Sequence, residues 1–333
     1  MHCLPRGAAA ILPLLVVPLL VVPLLVVAGC AGSPVAVERG QGQRTTSAAP
    51  TGVPTTAPPQ TLAAQATPSS SPGPRCGSRR APGTVVLTLA GGRRALLTVP
   101  AGDDGHHRLG VVIALPGYGR TSEELAAQSR LQARAMAAGV LAVLPQGAGT
   151  ARSWNFSGTT GHDDLAFLSA LLTRLTATEC ADPAHIVITG ISDGGDMAGY
   201  AACALPGRFR AVVTVAASIA PRAGCRRTRV VAVHGDADPI DPYHGGPDWR
   251  PGYPAIPPAT RAIADWAALD GCPTVVSTTR VAPHIVTTTY PCGAQLVTVR
   301  DGGHTWPGGA PVNQSLGDTT SEYDATATIL ALV

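Results

Sequence analysis

No lysine occurs among the 333 residues, so all 24 basic side chains are arginine. With 21 acidic residues the formal net charge is +3. There is no basic run and no stripe of aromatics set among cations, which excludes the electrostatic footprint of a nucleic-acid binder. The exclusive use of arginine reads as a codon bias toward GC-rich DNA rather than as chemistry. No Cys-x-x-Cys pair or His/Cys cluster is found either, so a zinc site is not expected. No propeller or large lid segment stands beside the main body of the chain.

What is present begins with a leader. Residues 8–27 are almost wholly apolar and end in Val27-Ala28-Gly29-Cys30. Prolines 13, 18 and 23 and the small-residue end read as a signal peptide over 1–29. It resembles a bacterial lipoprotein signal, which implies cleavage before Cys30 and acylation of that cysteine. An uncleaved anchor is the rival, because the run approaches the ~20 residues that span a bilayer. Residues 30–74, rich in Ser, Thr, Pro and Ala, bury too little apolar surface to offset ordering and are expected to form a disordered tether. Residues 75–333 then make one domain, exported and lipid-anchored to the outer face of the cell membrane. The oligomeric state is not written in the sequence.

Of the eight cysteines, Cys3 leaves with the signal and Cys30 takes the lipid. The remaining six suit an oxidising compartment and three disulfides. Chain proximity favours Cys203–Cys225 and Cys272–Cys292, leaving Cys76–Cys180, and the second of these is expected to staple two neighbouring strands.

Within the domain, 84–90 and 94–99 read as a hairpin divided by Gly91-Gly92. A continuous apolar run at 109–115 reads as a strand buried on both faces, and 140–144, 185–189, 211–216, 229–234 and 295–300 read as further strands. Helical patterns fall at 122–138, 163–175, 258–269 and 318–332. Alternation of this kind predicts an α/β fold: a mostly parallel central sheet, helices on both faces and an N-terminal β-hairpin. The site then belongs at the carboxyl ends of the strands.

Directly after the 185–189 run stands Gly190-Ile191-Ser192-Asp193-Gly194, a G-x-S-x-G pentapeptide, followed by a helix-like stretch. A serine on a sharp strand-to-helix turn needs flanking glycines, and the helix amino end favours a developing oxyanion. Ser192 is therefore the candidate nucleophile. A serine hydroxyl needs a histidine base, and the base needs a carboxylate. In the order Ser, acid, His, His304 is the candidate base, in a glycine-rich loop after the last strand. Asp238 is the candidate acid with Asp236 a close rival on the same loop, since residue physics barely separates them. His234 reads as a buried structural residue and Asp241 as a solvated turn residue. Oxyanion donors are expected from the backbone N–H groups of Tyr118 and Asp193. This serine chemistry calls for no metal or organic cofactor.

The motifs Leu115-Pro116-Gly117-Tyr118-Gly119, Asp163 to Leu168, Gly190 to Gly195, His234 to Pro239 and Gly302 to Gly308 resemble the polyhydroxybutyrate depolymerase and feruloyl esterase-like branch of the α/β-hydrolases, which includes actinobacterial lipoprotein esterases. The resemblance implies the α/β-hydrolase fold and cleavage of polyhydroxyalkanoate, feruloyl or related carboxylic esters through an acyl-enzyme. It also implies Asp238 rather than Asp236 as acid, and Tyr118 at the first oxyanion donor. Trp306 beside His304, and Trp154, are candidate substrate contacts. Pro116 departs from the family's histidine, and Asp193 and Asp196 put carboxylates where smaller or neutral residues are usual; these are expected to point away from the oxyanion. A serine peptidase, or a catalytically silent envelope-binding lipoprotein on the same fold, are the alternatives.

Overall fold

The computed structural model describes residues 76–77 and 80–333; the expected signal, Cys30 and the tether lie outside the described residues. Strands β1 (Gly83–Thr88), β2 (Arg94–Val99), β3 (Leu109–Leu115), β4 (Leu141–Pro145), β5 (Ala181–Ile191), β6 (Ala211–Val215), β7 (Arg229–Gly235), β8 (Ser277–Ala282), β9 (Ile285–Thr289) and β10 (Gln295–Val299) share one sheet. Its order is β1-β2-β4-β3-β5-β6-β7-β10-β9-β8. The six strands from β4 to β10 run parallel, and an antiparallel pair closes each side.

The helices are α1 (Ser122–Ser129), α2 (Leu131–Ala137), α3 (Asp164–Thr178), α4 (Asp193–Ala204), α5 (Ala259–Leu269) and α6 (Ala325–Leu330). The two-residue period of β3 sorts its side chains to opposite faces. Val111, Ile113 and Leu115 pack in a core with α3, α4 and α5, whereas Val112 and Ala114 pack in a second core with α1, α2 and α6. Burial on both faces is why β3 reads as an unbroken apolar run.

The expected 122–138 helix is two helices, because Arg130 adopts φ 55 between them. Ser129 Oγ donates to the Leu125 carbonyl and accepts the Leu131 N–H. The carbonyls of Gln128 and Ser129 accept from Ala310 N–H and Thr326 Oγ1, each at 2.8 Å. Partners distant in sequence thus replace the helical ladder. The expected 318–332 helix is confined to Ala325–Leu330, since the carbonyls of Asp318 and Thr320 instead accept from Gly303 and Gly308 of the histidine loop. The β8–β9 hairpin has no counterpart among the expected elements: β8 is exposed from Ser277 to Val281 and buries neither face, so it lacks the apolar pattern that marks a strand.

Cys76–Cys180, Cys203–Cys225 and Cys272–Cys292 are disulfide-bonded. The last joins the end of α5 to the β9–β10 turn rather than two neighbouring strands. Three disulfides fit an exported protein. Among the described residues no helix is long and apolar enough to cross a membrane.

Candidate active site

Ser192 sits between β5 and α4 at φ 56, ψ −131. Positive φ in a non-glycine residue stores about 1–3 kcal/mol, which the surroundings must over-determine. They do so by close packing. A Cβ on Gly190 would run into the backbone of Gly194, and one on Gly194 would strike the Leu115 and Pro116 carbonyls. Two glycines therefore let β3, β5 and α4 meet beneath the serine, and Ser192 N–H is pinned to the Val215 carbonyl at 3.0 Å.

His304 follows β10, and Asp238 follows β7, the strand paired beside it. His304 Nδ1–H donates to Asp238 Oδ2 at 2.8 Å, with Oδ1 at 3.0 Å, and both residues are buried. Oδ1 also accepts the N–H groups of Ile240 and Asp241, each at 2.8 Å. Three donors fix this carboxylate in place, and its bond to Nδ1 fixes the imidazole tautomer, leaving Nε2 as acceptor. Asp236 is occupied elsewhere, accepting Asp301 N–H at 2.6 Å. The geometry thus separates two carboxylates that the sequence could not.

His234 is buried. Its Nε2–H donates to the Asp241 carbonyl at 2.8 Å, and Nδ1 accepts from Ser218 Oγ at 3.1 Å. Burial holds its pKa below the ordinary value. Asp241 is not a solvated turn residue: it is buried, its backbone serves Asp238 and His234, and burial pushes its carboxyl well above the usual range.

Ser192 and His304 line one cavity of about 550 Å³, together with Tyr118, Leu125, Ile240 and Trp249 and the 310–313 loop. That volume falls within the range of small-molecule sites. Among the described residues Ser192 Oγ and His304 are not hydrogen-bonded to each other; such contacts commonly tighten only when substrate is bound. Neither the Tyr118 nor the Asp193 N–H is taken by another group among the described residues.

Two aromatic expectations need correction. Trp306 is fully buried in the α1, α2, α6 core, its indole N–H on Thr326 Oγ1, so it cannot stack on an acyl group. Trp154 is likewise buried, its indole N–H donating to the Pro116 carbonyl at 2.8 Å, where it braces the Tyr118 loop. The aromatic wall is instead Trp249, 59% exposed and edge-on to Tyr118 at 5.5 Å. Its only signal in sequence is a large aromatic in the Gly/Pro-rich loop after the acid.

Asp193 does not line the cavity. Its Oδ1 accepts from Arg250 Nη1 at 2.5 Å and its Oδ2 from Trp154 N–H at 2.8 Å. Burial pushes this carboxyl up to about 6, against the pull of Arg250 and the Trp154 N–H. Asp196 is raised well above the usual range by burial and by Asp193.

The chain is similar to NocK of Nocardia uniformis subsp. tsuyamanensis, an esterase by name, with 31% identity over 248 residues that cover 65% of this chain and 71% of that one. It belongs to the α/β-hydrolase esterases. Feruloyl esterase C of Emericella nidulans is 32% identical over 120 residues, 35% of this chain and 42% of that enzyme, so the chain spans less than half of this relative. Residues 127–229 match the prolyl oligopeptidase family; that stretch holds Ser192 but not Tyr118, Asp238 or His304. Among solved structures, acetyl xylan esterase from Aspergillus awamori shares the fold, with TM-score 0.53 and 15% identity over 75% of this chain and 99% of that one.

Proposed function

We propose that this chain hydrolyses carboxylic esters through an acyl-enzyme on Ser192, with His304 as base and Asp238 as its orienting acid. The observation that carries the reading is His304, held by buried Asp238, lining the same cavity as a serine on a strained elbow. Ser192 Oγ attacks the ester carbonyl while His304 Nε2 takes its proton. The carbonyl oxygen becomes an oxyanion beside the N–H groups of Tyr118 and Asp193, at the positive end of α4. Collapse expels the alcohol, which receives the proton from His304. Water, deprotonated by the same imidazole, then releases the acid.

Substrates of this reading are esters of a compact, largely apolar acyl group, hydroxycinnamoyl or hydroxyalkanoyl, because Leu125, Ile191, Ile240, Val312 and Trp249 line the cavity. The named feruloyl esterase supports the first. The leader motif supports a mature protein acylated at Cys30 and held at the outer face of the cell membrane.

The decisive measurement combines fluorophosphonate labelling with hydrolysis of a chromogenic short-chain ester, in wild type and S192A. Labelling and turnover should both vanish to background in the variant while its melting temperature is kept. An S192A protein that still turns over the ester would end the acyl-enzyme reading.

A further inference from the structure

Arg250 lies in the loop between β7 and α5, with a buried side chain. Its guanidinium donates to Asp193 through Nη1 at 2.5 Å and to Asp248 through Nε at 3.0 Å and Nη2 at 2.7 Å. It also stacks over the ring of Tyr253 at 4.0 Å. Asp196 Oδ2 is 3.8 Å from Nη2. Replacing a buried ion pair by apolar side chains is often neutral or stabilising, so stability alone is a weak reason for this group. Its connections give a better one.

Asp193 is the first residue of α4, directly after the nucleophile, and its backbone N–H is one of the two oxyanion donors in the reading above. Its second carboxylate oxygen accepts the Trp154 N–H, and the Trp154 indole donates to the carbonyl of Pro116. Pro116 is two residues before Tyr118, the other donor. One path of hydrogen bonds therefore runs from Arg250 through Asp193 and Trp154 to the β3 loop, linking both halves of the hole.

We propose that Arg250 is the positioning residue of the oxyanion hole, setting the Asp193 and Tyr118 N–H groups at one spacing through the Asp193 carboxylate and Trp154. This rests on the acyl-enzyme reading. The same guanidinium neutralises the carboxylate next to the nucleophile, so the Asp193 charge does not oppose the oxyanion. The bidentate grip on Asp248 needs a planar fork, which lysine lacks.

The test uses R250M, similar in volume but uncharged, with R250K and D193N. Readouts are kcat and KM for a chromogenic acetate ester, and affinity for a trifluoromethyl ketone, whose adduct carries the oxyanion. The matching methylene isostere reports ground-state binding. R250M should lower kcat by about 10- to 100-fold, the size expected from a small misplacement of catalytic groups. KM and isostere affinity should stay near wild type, and ketone affinity should fall in proportion to kcat. R250K should recover part of the loss. D193N, which keeps the shape and the oxygen for Trp154, should show the same pattern and serves if R250M does not fold. Wild-type kcat and ketone affinity in folded R250M would overturn the proposal, as would equal losses in ketone and isostere binding. Failure of the acyl-enzyme reading is seen separately, as wild-type fluorophosphonate labelling that does not depend on Ser192.

Discussion

Asp238 Oδ2 meets His304 Nδ1 at 2.8 Å although 66 residues separate them in the chain. The contact exists because β7 and β10 are parallel neighbours, with Val299 registered against Gly235. Both strands deliver their following loops to the same end of the sheet.

Substituting the two rival carboxylates should therefore give unlike results. D238N removes the acceptor that fixes the imidazole tautomer and should cost about 10⁴-fold in kcat. D236N loses a bond to the Asp301 N–H and should leave turnover near wild type. Steady-state kinetics on both variants decide the matter; a greater loss in D236N would reverse the assignment.

Trp249 should report on the acyl group. An aromatic pair contributes about 0.5–1.5 kcal/mol, so W249A should raise KM about twofold to tenfold for a hydroxycinnamate ester and leave that for an acetate ester little changed. A uniform rise for both would remove Trp249 from acyl recognition.

His234 should shape the acid side of stability. Burial keeps its folded pKa below the ordinary 6.5, so the unfolded chain takes up this proton first as pH falls. Its contribution is complete above about 6.5 and is lost as pH drops below that value, by at most about 1.4 kcal/mol per pH unit. Urea midpoints from pH 7.5 to 5 should show a shallower fall in H234Q than in wild type; equal slopes would contradict this.

Opening the disulfides should be costly in order of the loop each closes. Chain-entropy reasoning assigns ~3 kcal/mol to Cys272–Cys292 and ~4.7 kcal/mol to Cys76–Cys180, whose partners are 20 and 104 residues apart. Thermal melts of C272S/C292S and C76S/C180S should rank in that order.

The parallel core was legible because strands buried on both faces leave continuous apolar runs, and Leu109–Leu115 is such a run. Ser192 and His304 stood out since a strained turn and a strand-end loop demand particular residues, whereas Asp238 and Asp236 stood level on one loop and are told apart by their bonds to His304 and to the Asp301 N–H. Three features were hidden for physical reasons. The break at Arg130 depends on Ala310 and Thr326, far along the chain. β8 is an exposed strand without alternation. The roles of Trp154, Trp306 and Trp249 turn on burial, which an isolated tryptophan in a loop does not reveal.

Cys76 is bonded to Cys180, the residue immediately before β5, and Arg80 grips the adjacent Glu179 through two hydrogen bonds. β5 lies inside the sheet between β3 and β6, whereas β1, the first strand after Cys76, is an edge held by β2 alone. A pull applied to the chain upstream of Cys76 would thus pass through sulfur into the middle of the sheet. The edge hairpin would be spared the load that would otherwise peel it away one hydrogen-bonded pair at a time.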